Sequence, residues 1–248
     1  MSQTNDFNAC VVIPCFNHGS TVAEVVQRLS FLTLPFIVID DGSDLSTAEA
    51  LSRLEAERAD VSLLRLSSNH GKGVAVMRGL AVAQQRGFSH ALQVDADGQH
   101  ELEKARELLA LAADHPHALI SGRPVYDASV PRSRLYGRYV THVLVWVQTL
   151  SLMLQDSMCG FRVYPVNATL ALGSVGARMD FDTEVMVRLY WAGTQSLFVP
   201  VRVVYPVNGL SNFRMLRDNL RMAWLHTRLL LGMLLRLPRL LMRRGRSG

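Results

Sequence analysis

Two carboxylates, Asp95 and Asp97, stand one residue apart in the stretch QVDADGQH, where an apolar run ends. Side chains alternate along an extended chain, so both acids are expected on the same side. Anions held side by side repel unless positive charge lies between them. A hard divalent cation, which prefers oxygen ligands, is the commonest such charge. The pattern fits a metal pair. It fits equally a strand closing in a turn, since Asp and Gly are ordinary turn residues, and the fragment alone leaves both readings open.

Similar polar clusters follow three earlier apolar runs. They are Pro14-Cys15-Phe16-Asn17-His18, Asp40-Asp41-Gly42-Ser43 and Asn69-His70-Gly71-Lys72-Gly73. Asp40 and Asp41 suit hydrogen bonds from a base or ribose, as acids after a second strand do in nucleotide folds. They equally suit a helix N-cap region. Gly71-Lys72-Gly73 opens a helix, where unpaired N–H groups and a lysine favour phosphate. The spacing is neither GxxxxGK[ST] nor GxGxxG. His18, His70 and His100 read as solvated loop residues, and no HExxH pair occurs.

The elements that must position these clusters are legible in the first 120 residues. Apolar runs at 9–14, 36–40, 61–66, 90–95 and 118–121 read as strands. Segments at 20–30, up to about 59, 72–86 and 101–114 have helical spacing. This alternation predicts right-handed βαβ units and a mostly parallel sheet buried on both faces. Chemistry in such sheets collects at the carboxyl ends of strands. Four consecutive polar strand ends are therefore expected to face one crevice. The second half is less regular. MDFDTEVMVRLYWAG reads as an amphipathic helix with Asp180 or Asp182 as its N-cap.

The chain has 248 residues, 49% of them apolar, which supports one large domain or a domain with an appendage. Three cysteines without a CxxC pair suggest a reducing, cytoplasmic setting, with Cys159 read as packing. The polar start MSQTNDFN carries no apolar signal core. Net charge is +5, yet nine arginines and one aspartate from Arg214 onward give that segment +8 and leave −3 on the rest. Basic character confined to a tail argues against nucleic acid and for a local anionic surface.

In their order and spacing, VVIPCFNH, VIDDGS, NHGKGVAVMRG and VDADGQH resemble the inverting family 2 glycosyltransferases of GT-A fold. Within them the dolichyl- or polyprenyl-phosphate sugar transferases are the nearest subgroup. The resemblance runs from about residue 9 to 205. It implies that Pro14, Phe16, Asn17, Asp40, Asp41 and Lys72 help bind a nucleotide-sugar donor. It implies that Asp95, Asp97 and Gln99 hold Mg2+ or Mn2+ against the donor diphosphate, with Asp97 in a catalytic role. Such a metal neutralises the leaving group's charge. Arg123, Arg134 and Arg138 are expected near donor or acceptor phosphates, which guanidinium forks suit. QDSMCGFRVYP resembles the family's D-x-x-S/C-G-F-R segment and makes Asp156 the candidate base.

In the tail, Arg214, Arg217, Arg221, Arg228, Arg236, Arg239 and Arg243 fall on one stripe at helical spacing. Leu216, Leu220, Ala223, Leu230, Leu234 and Leu237 lie largely opposite, and Pro238 is expected to interrupt or kink the helix. A basic amphipathic helix with Trp224 suits an anionic membrane interface. A helix docked on the domain by its leucines is the alternative. The run at 143–154 is too short to span a bilayer and reads as buried or grazing the membrane. The expected organisation is a GT-A domain over 1–210 and a membrane-associating tail over 211–248. The chain is expected to sit peripherally on the cytoplasmic face, with a lipid-linked acceptor. Two competing readings are a haloacid-dehalogenase-like phosphatase, suggested by strand-DxDG, and a non-catalytic membrane-bound nucleotide-binding module.

Overall fold

The computed structural model describes residues 7–126, 132–203 and 215–244, apart from the side chains of 132–134, 215–216 and 243–244. Seven strands form one sheet in the order β3-β2-β1-β4-β6-β5-β7. They are β1 (Ala9–Cys15), β2 (Phe36–Asp40), β3 (Val61–Arg65), β4 (His90–Gln93), β5 (Leu119–Val125), β6 (Arg162–Pro165) and β7 (Ser196–Arg202). The first four pair in parallel, as do β5 and β7, whereas β6 runs antiparallel to both β4 and β5. The sheet is thus mostly parallel, as expected.

Alternation along the central strands fills two cores. Val11, Ile13, Phe36 and Val38 point to a layer with Val22, Val26 and Leu29 of α1 (Gly19–Leu29), Leu51 of α2 (Leu45–Glu57) and Leu108 of α4 (Ala105–Asp114). Val12, Ile37 and Ile39 point the other way. There they meet Val76 and Leu80 of α3 (Lys72–Gln85), Val145 of α5 (Arg132–Thr149), Val166 of α6 (Val166–Leu170) and Phe181 and Val185 of α7 (Phe181–Ala192). Burial on both faces is why β1 and β2 read as continuous apolar runs.

Strand β4 stops two residues earlier than expected, so the acidic pair lies beyond it. Asp95 O accepts from Gly98 N at 3.4 Å and closes a turn. The two carboxylates are therefore neighbours in a turn, not alternate residues of a strand.

The last helix, α8 (Met215–Arg244), packs against α5 and α7. Its leucines divide between two faces. Leu225, Leu229, Met233 and Leu240 are buried, whereas Leu220, Trp224, Leu231 and Leu234 are exposed on the far side. The arginine stripe borders both and partly engages protein. Arg228 pairs with Glu184 of α7 at 2.9 Å, and Arg236 stacks over Trp191 at 4.8 Å. Pro238 sits inside a continuous helix, so of the two expected effects the interruption does not occur. The carbonyl it leaves unbonded belongs to exposed Leu234, within reach of water. The expected boundary at 210/211 and Arg214 lie outside the described residues. Among the described residues no helix is long and apolar enough to cross a membrane.

Candidate active site

The loops after β1, β2 and β3 are tied to one another. Asn17, at φ 58°, donates its N–H to Ser43 Oγ at 3.0 Å and accepts from Asp44 N through Oδ1 at 2.9 Å. Asp44 caps α2 by accepting from Thr47 N at 2.8 Å, so the cap falls after the Asp40–Asp41 pair. Asp41 is buried, and its carboxylate accepts from His70 N at 2.8 Å and Gly71 N at 2.7 Å. Asp40 is also buried. Its Oδ1 accepts from Ser43 N at 2.9 Å, while Oδ2 lies 3.5 Å from Arg65 Nε. In this structure both acids shape the loops after β2 and β3, and Pro14 and Phe16 beside them are half-buried.

The start of α3 differs from an open phosphate cradle. Val74 N donates to Ala177 O at 3.3 Å, and the amides of His70 and Gly71 are spent on Asp41. Gly71 sits at φ 103°, and a Cβ there would overlap Ala177 O and the Arg178 side chain. The 176–178 segment thus covers the helix end, and Lys72 turns away from it. Its Nζ lies 2.8 Å from Asp95 Oδ1 and 2.9 Å from Asp182 Oδ2.

The acidic turn joins the other loops through Thr21, whose Oγ1 donates to Ala96 O at 2.7 Å. Asp97 Oδ1 accepts from Gln99 N at 3.1 Å. Burial and then the adjacent Asp95 carboxylate push the Asp97 carboxyl up. Burial works against ionisation of Asp95 too, but Lys72 and His100 outweigh it and hold that carboxyl below the usual range. His100 is not a solvated loop residue. It stacks on Phe161 with centroids 5.5 Å apart, and its Nε2 is 3.6 Å from Cys159 Sγ. Burial works to lower its imidazole, yet Cys159, Asp95 and Asp97 raise it to about 9.

This donor set fits a hard cation. Asp95, Asp97 and Gln99 supply two carboxylates and a carboxamide on one turn. No cluster of three or more His, Cys, Asp or Glu side chains able to hold a metal gathers among the described residues. A cation there would draw its remaining oxygens from ligand and water, which is how Mg2+ is usually bound.

Beneath the turn runs a buried polar chain that sequence reasoning missed. Tyr164 Oη donates to Gln93 Oε1 at 3.0 Å, and Gln93 Nε2 donates to Asp95 Oδ1 at 3.4 Å. Arg162, fully buried, donates through Nη1 to Asp182 O at 2.6 Å and through Nε to Ser121 Oγ at 3.1 Å. The available signal was an arginine alternating with apolar residues in FRVYP and a glutamine inside HALQV. Asp180, at the N-cap position of α7, makes no side-chain cap bond.

The segment 156–160 leads from this chain to a second ion pair. Asp156 Oδ1 accepts from Met158 N and Cys159 N, both at 2.8 Å. Its Oδ2 is 2.7 Å from Arg138 Nη2. Arg138, on α5, also lies over the Tyr126 ring at 5.4 Å. Arg123 is exposed near the end of β5. Arg134 falls in α5, with its side chain outside the described set.

Residues 10–170 match the family described as Glycosyl transferase family 2. A dolichyl-phosphate beta-glucosyltransferase from Dictyostelium discoideum is 30% identical, aligned over 78% of this chain and 64% of its own. The chain thus spans just under two thirds of that relative's length. A polyprenol monophosphomannose synthase from Mycolicibacterium smegmatis is 27% identical, over 86% of this chain and 83% of its own. Among solved structures, S. aureus TarS in complex with UDP-GlcNAc gives a TM-score of 0.60 at 15% identity, covering 90% of this chain and 66% of that one. A mannosyltransferase from Pyrobaculum calidifontis in complex with GDP-Man and Mn2+ gives 0.55 at 18% identity, covering 82% and 58%.

Proposed function

The chain belongs to glycosyl transferase family 2 and has the GT-A fold, and on that premise we propose that it moves a hexose from a nucleotide-sugar donor to a lipid-linked acceptor. Polyprenyl phosphate, or another membrane lipid, is the acceptor in this reading, and transfer proceeds by a single displacement with inversion. The similarity to dolichyl-phosphate and polyprenol-phosphate enzymes supports it. The observation that carries it is the Asp95–Asp97 turn, hydrogen-bonded through Ala96 O to Thr21 of α1, which follows the loop that is tied to the one after β2, and adjoining the Arg138–Asp156 pair through segment 156–160.

In this reading Pro14, Phe16 and Asn17 cradle the nucleoside, while Asp40 and Asp41 hold the cradle's shape. Asp95, Asp97 and Gln99 hold Mg2+ or Mn2+, which supplies Lewis-acid neutralisation at the diphosphate. Lys72 adds positive charge beside the same phosphates. Arg138, Arg123 and Arg134 bind acceptor or donor phosphate. An acceptor phosphate is already an anion, so no proton must leave it. Asp156, with three donors on its two oxygens, then serves chiefly to aim Arg138. With a hydroxyl acceptor, Asp156 would be the base.

Residues 1–210 form the catalytic unit in this reading, and 211–248 attach it to the cytoplasmic face of a membrane. The exposed Leu220, Trp224, Leu231 and Leu234, bordered by arginines, support that attachment.

The test incubates radiolabelled GDP-mannose, UDP-glucose or UDP-GlcNAc with protein, undecaprenyl or dolichyl phosphate, and Mn2+ or Mg2+. Labelled lipid that disappears with chelator is expected. Donor binding without sugar release or transfer from any donor would replace this reading with the non-catalytic module. Cleavage of a generic phosphate ester without sugar transfer would restore the phosphatase.

A further inference from the structure

The cation nearest the acidic turn is the protein's own. Lys72 is one of only two lysines in the sequence, against 24 arginines. Its ammonium bridges Asp95 and Asp182 at 2.8 and 2.9 Å. Several features hold it there. Asp182 is buried, and Arg162 fixes its backbone through a 2.6 Å bond to the carbonyl. Gly160 leaves the space the pair occupies, since a Cβ there would stand 2.5 Å from Lys72 Nζ and overlap Asp95 Oδ2.

Asp95 and Asp182 pair with two permanent cations, Lys72 and Arg162, and Asp97 lies on the same turn as Asp95. Removing the lysine would make this cluster one unit more negative. A site so nearly balanced attracts a divalent ion poorly. Resting on the metal reading above, we propose that Lys72 is a resident counter-cation that competes with the divalent ion for Asp95. The ion then binds weakly alone and firmly only together with a diphosphate, whose oxygens offer the released ammonium a new partner. Donor and metal enter as one complex, and the empty site does not collect stray metal.

The test follows Mn2+ binding to the full chain by loss of the free-ion EPR signal, without nucleotide and at low ionic strength. Lys72→Met is expected to bind Mn2+ at least about tenfold more tightly than wild type, a gain that shrinks with salt. Lys72→Arg should behave like wild type. Asp182→Asn should bind more weakly, because its lysine then leans wholly on Asp95. GDP or UDP should tighten Mn2+ binding to wild type much more than to Lys72→Met. Misfolding only weakens binding, so a gain cannot arise from damage. If Lys72→Met does not fold, Lys72→Gln takes its place, and unchanged or weaker binding by folded Lys72→Gln overturns the proposal. Unchanged or weaker binding by folded Lys72→Met, with binding abolished in Asp97→Asn, overturns the lysine's role and leaves the metal site standing. No Mn2+ binding by any form, with or without GDP or UDP, overturns the metal reading itself and this proposal with it.

Discussion

At Gly160 a single methyl group separates two arrangements of the site. The Lys72–Asp95 pair fills the space a Cβ would need, and Asp182 holds the lysine from behind. Relief of the clash in Gly160→Ala must come from breaking that pair. We expect a loss of about 1–3 kcal/mol in stability, typical of overpacking, and tighter Mn2+ binding without nucleotide, since Asp95 then loses the competing ammonium. Thermal melts and binding isotherms read the two effects separately. Asp156 predicts a different split. Asp156→Asn keeps an oxygen for the Met158 and Cys159 amides but loses the charge facing Arg138. Transfer should slow with donor KM nearly unchanged, and steady-state kinetics at varied donor would show any other pattern.

The helix α8 has two apolar faces with different work. Leu225 and Leu229 belong to the core shared with α3 and α7, so Leu225→Ala should cost about 2–5 kcal/mol. Truncation after Ser211 removes these residues too and would lower stability along with any membrane affinity. The cleaner variant is Leu220→Asn with Leu231→Asn on the exposed face. It should reduce sedimentation with anionic liposomes several-fold and shift stability by no more than about 0.5 kcal/mol per site. Equal sedimentation would reject the lipid-facing role. The contact between α5 and α8 is expected to respond to pH. His226 is buried, its Nδ1 lies 3.0 Å from Gln148 Nε2, and burial lowers its imidazole below the ordinary 6.5. Between the folded value and 6.5 the unfolded chain binds more protons, so stability rises with pH there. Melting temperature should fall as pH drops below about 6.5, and His226→Gln should flatten that slope.

For the whole molecule, ligand binding across four strand-end loops should appear as global stabilisation. GDP or UDP at 100 times Kd with Mn2+ present would add about 2.7 kcal/mol, several degrees in Tm for a chain of this size. Metal alone or nucleotide alone should shift Tm little, and chelator should abolish the combined effect. A full shift with nucleotide alone would detach the metal from donor binding. The sequence by itself determined β1 to β4, the helices between them and the polar residues at their ends. Those signals are local: apolar runs buried on both faces, helical spacing, and turn residues at strand termini. It also pointed to the family, through the order and spacing of the Asp95–Asp97 pair and the polar loops before it. Tertiary structure alone decided what the charged groups do. Lys72 meets Asp182 across 110 residues, and Arg162 meets Ser121 through β6, a four-residue strand whose pairing is antiparallel and non-local. Local periodicity carries no term for such contacts, and a helix apolar on two sides does not say which side will dock. Those choices are made by packing, where a buried charge must find its partner or not be buried at all.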